Sequence, residues 1–97
     1  MALDKAQKRF LRGLTHHLNP VVMVAERGLA ASVMKEIEGA LAHHELIKVR
    51  VSAEDRAARD ALMQRIARDT GSEIVHRIGH VVSLFRRNPE APKIELP

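Results

Sequence analysis

The sequence predicts an α/β two-layer domain, a mixed four-stranded sheet with packed helices in the order αβαβαββ. Three observations carry this. Three segments repeat apolar residues at helical spacing, four short ones run apolar or alternate, and proline, glycine or a cap residue separates them. A chain of 97 residues has room for one domain, 1–97, with one layered core.

The first helix is expected from Lys5 to Leu18. Phe10, Leu11, Leu14 and Leu18 share a face, and Asn19-Pro20 closes the pattern because a residue before proline disfavours the helical region. The other face carries Lys5, Lys8, Arg9, Arg12 and His16, a stripe of one sign. Such a stripe is either a solvated polar face or a surface for a polyanion. Val21 to Val24 is short, apolar on both faces and β-branched apart from Met23, the pattern of a strand buried between layers. After the interruption at Glu26-Arg27-Gly28, Val33, Met34, Ile37 and Leu41 mark a second helix ending near His43-His44.

Leu46 to Val51 alternates: Ile47, Val49 and Val51 point one way, Leu46, Lys48 and Arg50 the other, giving a strand with one wet, basic face. Strand, helix and strand in this order form a βαβ unit with parallel strands and a right-handed crossover. Ser52 and Asp55 have capping-box spacing for a third helix, in which Ala58, Leu62 and Ile66 form the apolar stripe and Gly71 the end. Ile74–Ile78 and Val81–Phe85 flank Gly79 as a tight antiparallel hairpin. The proline-rich tail, 88–97, is expected to run along the surface or to be mobile.

Sixteen Lys and Arg against twelve Asp and Glu give a formal net charge of +4, which favours a polyanionic partner. With two Phe and no Trp or Tyr, the chain cannot build an aromatic platform for stacked bases. Nucleic-acid contacts would run through phosphates, backbone amides and guanidinium groups. The absence of cysteine excludes disulfides, thiolate metal sites and a cysteine nucleophile. The N-terminal stretch lacks the apolar core of a signal peptide, and no apolar run approaches the roughly 18 residues of a membrane span. A cytoplasmic protein without membrane contact is expected.

Six histidines raise the question of a metal, yet His76 and His80 share a strand face only if the strand continues through Gly79, and no HExxH spacing occurs. No metal or other cofactor is expected. The serines are Ser32, Ser52, Ser72 and Ser83, and no carboxylates converge visibly, so neither a catalytic residue nor a small-molecule substrate is expected.

The turn before the second helix has chemistry of its own. The first N–H groups of a helix lack partners, and the helix dipole adds positive charge, so that end attracts anions. No Ser, Thr, Asp or Asn stands at the cap expected around Gly28 or Leu29, and Arg27 offers a fork that matches phosphate. The plainer alternative is that Gly28 makes the turn and water caps the helix.

Together, "KRFLRGLTHHLNPVVMVAERGLAASVMKEIEGALAHHELIKVRV", "GSEIVHRIGHVVSLFRR" and "PKIELP" resemble, over nearly all of residues 4–97, the bacterial YhbY family. This family is the stand-alone form of the CRM (chloroplast RNA splicing and ribosome maturation) domain. The resemblance implies an RNA-binding domain related in fold to the C-terminal domain of bacterial translation initiation factor three and reminiscent of KH domains. It further implies association with large-subunit ribosomal precursors as an assembly factor and not as an enzyme; a monomer is expected.

The resemblance also implies that Ala25-Glu26-Arg27-Gly28 occupies the place of the family's GxxG loop, laid against RNA as the KH loop clamps nucleotides. Ala25 stands where the family has its first glycine. Alanine resists positive φ, so either position 25 needs no glycine freedom or the loop approaches RNA less closely. Glu26 opposes a phosphate. The RNA-binding candidates are Ala25, Glu26, Arg27 and Gly28 of the turn, Lys5, Lys8, Arg9 and Arg12 of the helix stripe, and Lys48 and Arg50 of the alternating strand. A second function stays open on the residues alone: a basic protein-interaction module that docks acidic partners without RNA contact.

Overall fold

Alternation along Leu46–Val51, strand β2, sets the layers of the molecule. Ile47, Val49 and Val51 are buried on one side of the sheet, while Lys48 and Arg50 stand on the other. The computed structural model describes residues 2–25 and 28–97. Around β2 lie α1 (Lys5–Thr15), β1 (Pro20–Val24), α2 (Ala31–His44), α3 (Arg56–Thr70), β3 (Glu73–Ile78) and β4 (Val81–Phe85). The strand order is β1-β2-β4-β3, with β1 parallel to β2 and the other pairs antiparallel. This is the α/β fold and the mixed four-stranded sheet that the sequence predicts.

The main core lies between α2, α3 and one sheet face, where Ile37, Leu41, Met63 and Ile66 meet Val22, Val24, Ile47, Val49, Val51, Val82 and Leu84. On the opposite face Leu3 and Leu11 pack on Leu46, Val75 and Phe85. Helix α1 therefore adds a partial third layer over one end of the sheet only. The other end of that face stays open, and this asymmetry creates the candidate interface.

Several boundaries differ from the sequence reading for identifiable reasons. Helix α1 ends at Thr15 instead of Leu18, because the His17 and Leu18 N–H groups donate to Leu14 and Thr15 carbonyls at 3.2 and 3.1 Å, three-residue turns that lead the chain into Pro20. Its start is fixed by a capping box between Asp4 and Gln7. Strand β1 is not buried on both faces. It lies at the sheet edge beyond the reach of α1, so Val22 and Val24 are buried while Val21 and Met23 are 51% and 67% exposed. The cap of α3 is Asp55, whose carboxylate accepts the Ala58 N–H at 2.8 Å. Ser52 still belongs to the strand ladder, where its N–H donates to the Val24 carbonyl at 2.9 Å.

The tail is held, and the holding group is Glu45. This residue ends α2 with φ of 67°, a left-handed conformation that costs a side-chain-bearing residue about 1–3 kcal/mol. The turn aims a fully buried carboxylate at the tail, where it accepts N–H groups of Asn88, Lys93 and Ile94 at 2.7, 2.7 and 2.9 Å. Ile94 and Leu96 then pack against the smaller core. Beside the latch, the Arg86 guanidinium donates to the Glu38 carboxylate at 2.6 Å and to the Thr70 carbonyl at 2.9 Å, joining α2 to the C-terminal end of α3.

Burial alone pushes the Glu45 carboxyl up, but the three backbone donors, helped by Arg87, outweigh it and hold the group below its ordinary 4.5. A lowered folded-state value means that the latch contributes fully above pH 4.5 and is lost as pH falls through that lowered value. Glu45→Gln should lower stability by about 1.5–3 kcal/mol at neutral pH, as charge-assisted bonds are lost. It should also lower hydrogen-exchange protection at Lys93 and Ile94, and acidifying the wild type through the lowered Glu45 value should lower protection there, relative to the intrinsic rate at that pH, in the same way. Equal tail exchange in wild type and variant at neutral pH would show that Glu45 does not hold the tail.

Candidate nucleic-acid interface

Strand pairing writes the open face as two rows. Pro20, Lys48, Ser83 and His76 stand side by side across the four strands, and Met23, Arg50, Val81 and Ile78 form the next row. The second row lies toward the end of the sheet where β1 gives way to the 25–28 turn and where the Gly79–His80 turn joins β3 to β4; there the Val51 N–H donates to the His80 carbonyl at 2.7 Å. In that row Met23 and Ile78 are 67% and 65% exposed, flanking the exposed Arg50 and half-buried Val81. Exposed apolar side chains around a cation, on an otherwise well-covered sheet, mark a contact surface.

The first row borders α1. Thr15 and His16 of that helix, with Pro20, Lys48, His76, Ile78, Val81 and Ser83, line a cleft of about 210 Å³. The His76 imidazole is held below its ordinary 6.5, first by partial burial and then by the positive charges of Arg12, His16 and Lys48. The local field is therefore positive. Among the described residues, no ion pair involves Arg12, His16, Lys48, Arg50 or His76. By contrast, Arg65 and Arg68 on α3 both reach Asp69, at 3.5 and 3.3 Å. Basic side chains on the helical side are partly neutralised, whereas those on the open face remain available to an anion.

The turn closes through a bond from the Gly28 N–H to the Ala25 carbonyl at 3.0 Å. Gly28 has φ of 96°, so its place needs glycine although an added Cβ would meet nothing within 4 Å. Glu45 is the one non-glycine residue with positive φ among the described residues, so Ala25 sits in ordinary backbone. Position 25 needs no glycine freedom. Leu29 packs onto the main core and anchors the turn's far side. Helix α2 begins later than the sequence reading places it: Ala30 is the cap, and it makes no side-chain cap bond. Glu26 and Arg27 lie outside the described residues.

The fold thus places Lys48 and Arg50 on one face, brings Arg12 to its border and sets Ala25 and Gly28 at its end. Lys5, Lys8 and Arg9 continue the same helical stripe away from the cleft, Lys5 being about 16 Å along the axis from His16 at 1.5 Å per residue. Sequence reasoning missed His76, Met23 and Ile78 as members of this surface. For His76 and Ile78 the signal is strand parity: they share a face with each other, and pairing to β4 aligns them with Lys48 and Arg50. For Met23 it is the edge position of β1, which no local pattern reveals.

The CRS1 / YhbY (CRM) domain matches residues 3–86. A Haemophilus influenzae protein named RNA-binding protein is 50% identical over 95 residues, covering 98% of this chain and 95% of that one. Bacillus subtilis YqeI, named a probable RNA-binding protein, is 35% identical over 95 residues, covering 98% of this chain and 99% of its own. The solution structure of Staphylococcus aureus SAV1595 superposes with a TM-score of 0.85 at 33% identity, covering 99% of this chain and all of that one.

The turn geometry makes a paired stability prediction. Gly28→Ala should destabilise by about 1 kcal/mol or more through its positive φ, whereas Gly13→Ala inside α1 should stabilise by about 0.5–1 kcal/mol. Thermal melts of both variants check this. A neutral Gly28→Ala would mean that the turn tolerates ordinary backbone.

Proposed function

The chain belongs to the CRS1/YhbY (CRM) domain family, and on that premise we propose that it binds RNA through the open half-face of its sheet and the adjoining 25–28 turn. The observation that carries this reading is the run of basic side chains without an ion pair among the described residues, Arg12, Lys48 and Arg50, with the imidazoles of His16 and His76 beside them, leading toward a glycine turn and a helix whose cap residue, Ala30, makes no side-chain bond. Phosphates neutralise such a surface, and relatives carrying RNA-binding names share almost its whole length. Arg27 supplies a phosphate fork, Gly28 the turn, and Lys5, Lys8 and Arg9 extend the track along α1. Met23 and Ile78 offer apolar surface to base faces in place of the missing aromatics.

In this reading the RNA is large-subunit ribosomal RNA in precursor particles. The protein acts in the cytoplasm as a monomeric assembly factor, with no reaction of its own. The exposed Met23 and Ile78 also favour a second reading, in which the same face docks an acidic protein. Copurification separates the two: RNA retained at low salt and shed at high salt supports the first, and capture of ribosomal proteins without RNA supports the second.

Affinity for single-stranded RNA should fall with salt at a log–log slope of about −3.5, if about five phosphates are contacted at about 0.7 each. A slope near zero would exclude phosphate contacts. Arg27→Ala should weaken binding by about 1.5 kcal/mol, near tenfold in Kd, without moving the melting temperature. Gly28→Asp should weaken it further by placing a negative charge at the turn. Wild-type affinity in both folded variants would reduce the turn to a connector.

A further inference from the structure

We propose that the cleft between the C-terminal end of α1 and the first row of the open face is a subsite for one RNA phosphate, with His76 binding it as imidazolium beside Arg12, His16 and Lys48. The proposal rests on the RNA-binding reading and assigns that surface a defined anchoring point and a pH dependence.

The geometry selects an anion. Among the described residues, the charged groups whose fields reach His76 are basic, Arg12 and His16 from α1 and Lys48 from β2, and His16 and Lys48 line the cleft with it. The strand between them, β4, contributes Ser83 at the cleft floor, and no carboxylate among the described residues lines the space. A volume of about 210 Å³ accommodates a phosphodiester group, and the ring of donors suits oxygens on several sides. Thr15 is fixed at the rim because its hydroxyl donates to the Arg12 carbonyl at 2.6 Å, which pins the last turn of α1 above the row.

The chemistry then couples binding to a proton. In the free protein the surrounding cations and partial burial keep His76 neutral at pH 7, because its value lies below the ordinary 6.5. A phosphate in the cleft reverses the local field, so the imidazole gains a proton and donates to the anion. Affinity must then rise as pH falls between the bound and free values of His76, by about tenfold for each unit that the phosphate raises it.

The test measures oligouridine RNA affinity at about pH 8 and about pH 6, at fixed ionic strength, for wild type and His76→Gln, with His76 followed by proton NMR. Melting temperatures confirm that both proteins are folded. The proposal expects wild-type affinity to increase several-fold at the lower pH, most of that increase to vanish in His76→Gln, and the His76 titration to move upward with RNA. The histidines outside the cleft, His17, His43, His44 and His80, are present in both proteins and cancel in the comparison. Tight RNA binding with the same pH dependence in both proteins, or an unmoved His76 titration, overturns the subsite and leaves the RNA reading intact. No RNA binding at either pH overturns both. Saturation of the His76 shift by inorganic phosphate at concentrations that leave RNA binding unchanged also overturns it, by assigning the cleft to free phosphate.

Discussion

The period-two alternation of β2 is the constraint on which the rest of the molecule depends. Side chains of a strand alternate between faces, so one register sends Ile47, Val49 and Val51 into the main core and leaves Lys48 and Arg50 on the other side. A slip of one residue would bury both cations and expose three core valine and isoleucine side chains, which burial energies forbid. Because β2 pairs with β1 on one edge and β4 on the other, its register also fixes which residues of its neighbours share each face. Core and candidate surface are therefore two consequences of one hydrophobic pattern.

The two ends of the sheet have different tasks. At one end α1 and the held tail cover Leu46, Val75 and Phe85, Arg86 ties α2 to α3, and Glu45 accepts strained backbone so that its carboxylate can gather three tail amides. At the other end the sheet is left uncovered beside two turns, and Lys48 and Arg50 make no ion pair among the described residues. Such division holds the open rows in register through strand pairing, so the candidate surface presents its charges from paired strands. Ordering costs that a mobile surface would incur on binding are avoided.

Much of this was legible because local rules and tertiary packing agree. The helical stripes, the hairpin at Gly79 and the alternation in Leu46–Val51 each specify their element, and the element order specifies the βαβ unit. The candidate surface was legible where a single segment carries it, as with Lys48 and Arg50. It was illegible where packing decides. No sequence pattern says that α1 stops short of β1, which leaves Met23 exposed, or that α1 ends over β3, which brings Arg12 and His16 to His76. Glu45 is the extreme case: a charged residue at a helix end ordinarily faces water, and only contacts more than forty residues away explain its burial.

On the proposed reading the open half-face, and not the helical side, meets RNA. Backbone amide shifts of the labelled protein during titration with single-stranded RNA test it most directly, because both sides carry arginines and only the map separates them. The account predicts that Gly28, Lys48, Arg50, His76 and Ile78 shift together and saturate at one affinity. Shifts confined to the outer face of α3, at Arg56, Arg65 and Arg68, with the two rows unmoved, would contradict it.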